Sequence, residues 1–252
     1  MLPKKIKPEK LFKLIRIGKN NDGGYLICKN SLMKTKTLFS FGISDDFSFE
    51  KDFSKLSNCK VYAFDPTSTN IFFIKNIIKT ILKFQFILSI KKIINFCKFI
   101  FFFKNKNNIL IKKKIGKGGS LKSGSISLND VLNTTNQKLD IFLKIDIEGS
   151  EYRILEEIIL NSKIINGIAI EFHDADINID KIVNFVDRLE LKLVHIHPNN
   201  FAERGANNIP SSLELTFSKS PEIVDDDLIF PHKLDQRNDP ISNDIELIFE
   251  DH

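Results

Sequence analysis

Asp140-Ile-Phe-Leu-Lys-Ile-Asp-Ile-Glu-Gly-Ser-Glu-Tyr-Arg-Ile-Leu155 is the stretch that decides the fold. Ile141 to Ile147 is a β-branched and aromatic run, too apolar for a strand with one wet face. Strand alternation points Ile141, Leu143, Ile145 and Ile147 to one side, and Phe142, Lys144, Asp146 and Glu148 to the other. Gly149-Ser150 breaks the strand, and Ile154, Leu155, Ile158 and Ile159 resume at helical spacing. The stretch therefore reads as a buried parallel strand that turns into a helix. Open α/β sheets bind ligands at the carboxyl ends of their strands, so Asp146 and Glu148 stand where chemistry is expected. The plainer reading is that Asp146 caps the following helix and Glu148 complements its dipole.

Working outward, strand and helix patterns alternate on both sides of this block. Leu14–Gly18 and Tyr25–Cys28 flank an Asp-Gly turn signal and read as a hairpin. Thr37–Gly42 is a strand stopped by glycine, and a helix from about Asp45 or Ser48 carries Phe49, Phe53 and Leu56 inward. Val61-Tyr-Ala-Phe-Asp65 is the next strand, closed by Pro66. A glycine turn after one strand and an acid ending the next is the logic of a nucleoside-binding half-sheet. Gly167–His173 and Leu191–His197 are further strands, with a helix over 179–189 between them. Leu213–Phe217 and Ile245–Phe249 alternate as antiparallel or edge strands do. This order predicts a mostly parallel sheet with helices on both faces and an antiparallel end.

The chain has 252 residues, 42% hydrophobic and 27% charged, which suits one α/β domain. Cys28, Cys59 and Cys97 lack metal spacing and read as reduced, buried thiols of a cytoplasmic protein. The amino-terminal residues carry charge without an apolar core, so no signal peptide is expected.

The net charge of +5 is mild but unevenly placed. No acidic residue lies between Asp65 and Asp130, while thirteen lysines do, from Lys75 to Lys122. The acids that compensate come late, among them Asp225-Asp226-Asp227. Such a field favours an anionic surface or substrate. Residues 71–103 are apolar but broken by lysines, which excludes a transmembrane helix and predicts two amphipathic ones, 70–84 and 87–103. Packing on the sheet is the simpler account of them; lying on a membrane surface is the sharper one. Residues 105–125 read as a Lys-, Gly- and Ser-rich loop.

Six blocks in order resemble the FkbM-type methyltransferases, which depend on S-adenosylmethionine. They are Arg16–Tyr25, Ser40-Phe-Gly-Ile-Ser44, Phe64-Asp-Pro-Thr67, Leu143-Lys-Ile-Asp-Ile-Glu-Gly-Ser-Glu151, Ile170-Glu-Phe-His173 and His195-Ile-His-Pro-Asn-Asn200. The resemblance implies a Rossmann-like class I methyltransferase spanning residues 1–252, with a basic insertion or lid at about 71–122. It implies that Gly42 lies under the methionine part of the cofactor, with Ser44 and Asp46 lining the loop, and that Asp65 holds the ribose. Ser40 stands where many methyltransferases carry an acid, so the cofactor's ammonium would be met by Asp45, Asp46 or Asp146.

The expected reaction is O-methylation of a sugar, glycan or glycolipid hydroxyl, which requires alignment of nucleophile and methyl, and a base. Asp146, Glu171, His173 and His197 are the catalytic candidates, with Asn199 and Asn200 as orienting amides. Either histidine, titrating near neutrality, suits a general base. Lys144 pairs with Asp146 or Glu171, or joins them in a purely structural charge cluster. A divalent metal, Mg²⁺ or Mn²⁺, on Asp146, Glu148 and Glu171 beside a histidine is the less favoured reading, and no residue is assigned to one. Contact with an anionic membrane is expected to be peripheral at most, and specific nucleic-acid binding is not expected. The alternative function is a non-catalytic Rossmann-like module that binds anionic lipid or nucleic acid through the basic segment.

Overall fold

The computed structural model describes residues 1–116, 124–137, 139–201, 204, 205, 208–224 and 227–250. The sequence readings of Lys117, Lys122, Asp225 and Asp226 lie outside these residues. A hairpin of β1 (Leu14–Ile17) and β2 (Tyr25–Cys28) comes first, as the Asp-Gly turn signal predicts. Then follow α1 (Lys29–Lys34), β3 (Thr37–Phe41), α2 (Ser48–Ser57), β4 (Lys60–Phe64), α3 (Asn70–Leu82), α4 (Phe86–Lys104) and β5 (Asn108–Ile111). The second half runs β6 (Lys114–Ile115), β7 (Ser125–Ile126), α5 (Leu128–Thr135), β8 (Ile141–Ile145) and α6 (Leu155–Leu160). It ends with β9 (Ile165–Phe172), α7 (Ala175–Arg188), β10 (Lys192–Pro198) and β11 (Leu213–Ser218).

Seven strands form one sheet in the order β10-β11-β9-β8-β3-β4-β5. β8 pairs parallel with β3 and β9, and β3 and β5 pair parallel with β4. β11 runs antiparallel to both β9 and β10. This is a Rossmann-like, mostly parallel sheet with an antiparallel end. From β3 the chain steps outward through β4 to β5, then returns to β8 on the other side of β3. The switch point, where such sheets bind ligands, is therefore the crevice between the ends of β3 and β8.

The alternation read in the central strand sorts the core as predicted. Ile141, Leu143 and Ile145 join Val131, Ile158, Ile182 and Phe185 on the face covered by α5, α6 and α7. Phe142 points the other way, into a cluster with Leu32, Phe49 and Phe53 from α1 and α2 and with Ile17, Tyr25 and Ile27 from the hairpin. All five β8 residues, Lys144 included, are buried.

Several local expectations are corrected. Residues 105–125 are not wholly a loop: Asn108–Ile111 is the edge strand of the main sheet, and β6 and β7 form a small parallel pair. Flanking lysines concealed a short apolar run that pairs with β4 along its outer edge. Ile245–Phe249 forms no strand, only a bridge from Phe249 to Leu2, and its other contacts are with side chains such as Phe230 and Arg204 rather than with a strand edge. Cys97 is exposed, unlike Cys28 and Cys59. Leu56 is also exposed, while Phe49 and Phe53 of the same helix are buried. No helix among the described residues is long and apolar enough to cross a membrane.

Candidate active site at the ends of the central strands

β3 ends at Gly42, whose φ of +78° lies in the left-handed region. A Cβ there would sit 1.7 Å from the Asp146 carbonyl oxygen, so the β3 turn and the end of β8 are in backbone contact. Lys144 tightens this junction, donating to the Gly42 carbonyl at 2.6 Å and to Asp146 Oδ2 at 3.3 Å. Burial lowers the Lys144 pKa, but Asp146, Glu50 and Glu171 together raise it above its ordinary value, so it remains an ammonium. Glu50 of α2 is fully buried and accepts from Ser40 Oγ at 2.5 Å. Ser40 of β3 thus leads to an acid supplied by the next helix.

Beyond β8 the chain folds back on itself. Glu151 accepts from the backbone N–H groups of Ile147 (3.0 Å) and Gly149 (3.2 Å), and its Oε1 lies 3.0 Å from His173 Nδ1. This contact aims His173 Nε2 at the other acids, with Glu148 at 3.5 Å and Asp146 and Glu171 at 3.8 Å each. Burial opposes a charge on His173, but Glu151, Glu171 and Asp146 overcome it and push the pKa up to about 9. The imidazole is therefore cationic at neutral pH. The expectation that His173 is a neutral-pH base does not fit this setting.

Glu171 is buried, and both of its oxygens have partners. Oε1 accepts from Ser212 Oγ at 2.6 Å and Asn199 Nδ2 at 2.8 Å; Oε2 lies 3.4 Å from the Tyr25 hydroxyl. Burial, and then the charge of Asp146, raises its pKa. Tyr25 also reaches Asp146 Oδ2 at 3.5 Å, and burial holds its hydroxyl protonated. Asp146 is the more open carboxylate, with 27% of its side chain exposed against 6% for Glu171.

The structure therefore brings together Asp146, Glu171, His173 and Asn199. It adds Tyr25, Glu50, Glu151 and Ser212, which the sequence reading did not assign. It leaves His197 and Asn200 outside. β11 enters between β9 and β10, so Glu214 stands opposite both Glu171 and His197 and separates them. His197 instead faces Asp235 (3.7 Å) and Asn238 (3.1 Å) from the carboxyl-terminal segment. Burial disfavours its charge, but Asp235 and Glu214 raise the pKa to about 9. Asn200 ties down the same segment, donating to the carbonyls of Asp239, Ser242 and Asn243.

The cofactor-side candidates are placed as follows. Asp65, at the end of β4, accepts from Ile43 N (2.9 Å) and Ser44 N (2.7 Å) on one oxygen. Its other oxygen accepts from Thr67 N and Oγ1 (2.6 Å each) and Ser68 N (3.2 Å). Burial opposes its charge, but these bonds outweigh it and hold the pKa below the ordinary carboxylate value. Ser44 has a φ of +46° and accepts from Ser68 Oγ through its carbonyl. Asp46 accepts from Ser48 N at 3.0 Å at the start of α2 and pairs with Lys19 of the hairpin turn at 2.9 Å.

S-adenosylmethionine fits one end of this crevice better than the other. The half-open Asp146 and exposed Glu148 suit its cationic methionine end. A ribose at Asp65 would have to share or displace bonds that the chain itself now makes, since a carboxylate has about four acceptor positions. Asp146, Glu171 and His173 could also hold a divalent cation, each with a ligand atom within 4.8 Å of the others. His173 has its Nδ1 on a carboxylate, as metal-binding histidines do, but would first have to lose its proton.

Among curated proteins no relative matches the chain. Solved structures show distant likenesses. The precorrin-6y C5,15-methyltransferase of Geobacter metallireducens GS-15 is 14% identical, with a TM-score of 0.40 over 76% of this chain and 86% of that one. TYW2 of M. jannaschii in complex with AdoMet is 12% identical, with a TM-score of 0.36 over 78% and 74%. The Methanococcus jannaschii fibrillarin pre-rRNA processing protein is 13% identical, with a TM-score of 0.38 over 82% of each chain. These are too remote to transfer any residue's role. Residues 112–205, which include β8, the Glu151 turn, β9 with His173, and β10, match the family model of the methyltransferase FkbM domain.

Proposed function

We propose that the chain is an S-adenosylmethionine-dependent methyltransferase, acting as one domain on a hydroxyl of a sugar, glycan or glycolipid. The observation that carries this reading is the cluster of Asp146, Glu171 and His173 beside the β3–β8 switch point, inside the segment that matches the FkbM domain. When bound, the cofactor supplies a methyl group on a sulfonium. Gly42 and the exposed Glu148 are the residues that would hold it, joined by Asp65 where the ribose displaces the chain's own donors.

The chain's own groups then have separate tasks. Asp146 is the open carboxylate and takes the acceptor hydroxyl's proton as oxygen attacks. Lys144 and cationic His173 keep Asp146 and Glu171 in place and limit their mutual repulsion. Glu171, held by Ser212, Asn199 and Tyr25, orients rather than reacts. In-line displacement depends on alignment, so the rigidity of this frame is its catalytic contribution.

One observation favours the alternative of a non-catalytic module: the carboxylate of Asp65 is fully occupied by the chain's own donors. Transfer from methyl-tritiated S-adenosylmethionine to a fraction of glycolipids and oligosaccharides separates the two. Label in an alkali-stable methyl ether supports the proposal. A folded protein that labels nothing in that fraction speaks for the module.

A further inference from the structure

The α3–α4 hairpin leaves its apolar side chains in water. Only Phe73, Thr80, Ser89 and Phe99 are buried along its two helices. They form the seam between the helices: Phe73 stacks on Phe96 with centroids 5.0 Å apart, and Ser89 donates to Thr80 at 2.9 Å. On α3, Ile71, Ile74, Ile78, Ile81 and Leu82 recur at helical spacing and are all exposed. On α4, Phe86, Ile87, Ile90, Ile93, Ile94 and Phe101 do the same. At the tip Phe84 is 79% exposed and Ile87 75%, around an open groove of 480 Å³. A water-facing surface of this extent implies an apolar occupant.

Charge identifies the occupant. The hairpin carries seven lysines and no acid. Among the described residues only Lys92 has a carboxylate partner, Asp45 at 3.7 Å. Lys75, Lys79, Lys83, Lys91 and Lys98 run beside the apolar stripes. Two copies meeting through this face would bring one set of lysines against another without a counter-charge. Most of the exposed apolar side chains, Phe84, Phe86 and Phe101 excepted, are aliphatic, and these offer little to a nucleic acid, which stacks on aromatic rings. Basic residues flanking an apolar stripe suit a surface with anionic headgroups above hydrocarbon.

We propose that the α3–α4 hairpin docks this protein on anionic lipid bilayers, with Phe84, Phe86 and Ile87 inserted at the tip. Neither helix spans the membrane. The base of the hairpin packs on the loop after β3, with Asn95 donating to the Asp45 carbonyl at 2.7 Å and the Phe47 ring 5.6 Å from that of Phe99. Docking would thus bring the switch-point crevice close to the bilayer. The inference does not depend on the reaction catalysed.

Flotation of the full chain with vesicles of 30% phosphatidylserine in phosphatidylcholine, or of phosphatidylcholine alone, tests it at low and high salt. Tight binding to the anionic vesicles is expected, at least ~10-fold weaker to neutral ones and weakened by salt. Replacing Phe84, Phe86 and Ile87 by Ser should reduce binding ~10-fold or more with a nearly unchanged melting temperature, since these side chains are mostly exposed and, among the described residues, the two rings pair only with each other, 6.3 Å apart. Changing Lys75, Lys79, Lys83 and Lys91 to Gln should reduce it by roughly 100-fold or more. Equal binding to neutral and anionic vesicles would overturn the proposal, as would no vesicle binding. A concentration-dependent dimer abolished by the Ser variant, without lipid binding, would assign the face to self-association instead.

Discussion

The polar face of the sheet at β8 and β9 and the apolar faces of α3 and α4 solve opposite problems. In the sheet, Lys144, Glu171 and Glu151 are buried and hydrogen-bonded to five separate chain segments, with Glu151 Oε2 left as a buried oxygen without a partner among the described residues. On the hairpin, hydrocarbon is exposed and left without a partner in the chain. A buried charge cluster is expensive unless its geometry is complete, so such clusters point to function or to fold specificity. An uncovered apolar face points to something outside the molecule. One region is organised inward, toward a crevice, and the other outward, toward a surface.

If this contrast is right, the same truncation should have opposite consequences in the two regions. Phe142 is fully buried, its ring centroid 4.8 Å from that of Phe53. Phe142→Ala should lower unfolding stability by ~3–5 kcal/mol in a urea titration. The Asp146→Asn variant sharpens the inward half: it should remove ~10²–10⁴-fold of the methyl-transfer rate while the melting temperature stays near wild type. Full activity in that variant would move proton removal elsewhere, and activity lost to a chelator and restored by Mg²⁺ would place it on a metal.

The pH dependence has a smaller expected effect. His173 has a folded pKa of about 9, above its ordinary value, so its share of stability is complete below pH ~6.5 and is lost as pH rises through 9. His197, also raised to about 9, acts in the same direction. Melting temperature should therefore fall between pH 7 and 9.5. His173→Gln should flatten part of that slope, on the order of 2 kcal/mol across the window. A slope identical to wild type would mean that His173 is not held as a cation. The smallest effect should come from the outward region: Phe101→Ala, at a side chain 80% exposed, should leave urea stability unchanged within about 0.5 kcal/mol.

How far the sequence could be read follows the same division. Period-two alternation placed Phe142 and Lys144 on one face and Ile141, Leu143 and Ile145 on the other, because a strand buried on both faces keeps its pattern. Gly42 was legible as a turn, though not as the point where β3 touches the end of β8. His197 could not be placed, since local pattern does not tell that β11 slots between β9 and β10. Glu151 left only a faint signal: an acid three residues after Glu148, opening a turn, can fold back onto free N–H groups. Tyr25 and Glu50 gave none, because their role arises where the hairpin and α2 pack onto the sheet. The hairpin helices were found from their period, but their exposure became visible only once the sheet had no room for them.

The central claim is that the switch-point crevice takes S-adenosylmethionine. Isothermal titration of the folded chain with S-adenosylmethionine, and separately with its demethylated product, tests it most directly. The account predicts saturable binding of each at one molecule per chain. A chain that shows a normal cooperative melt but binds neither would contradict it.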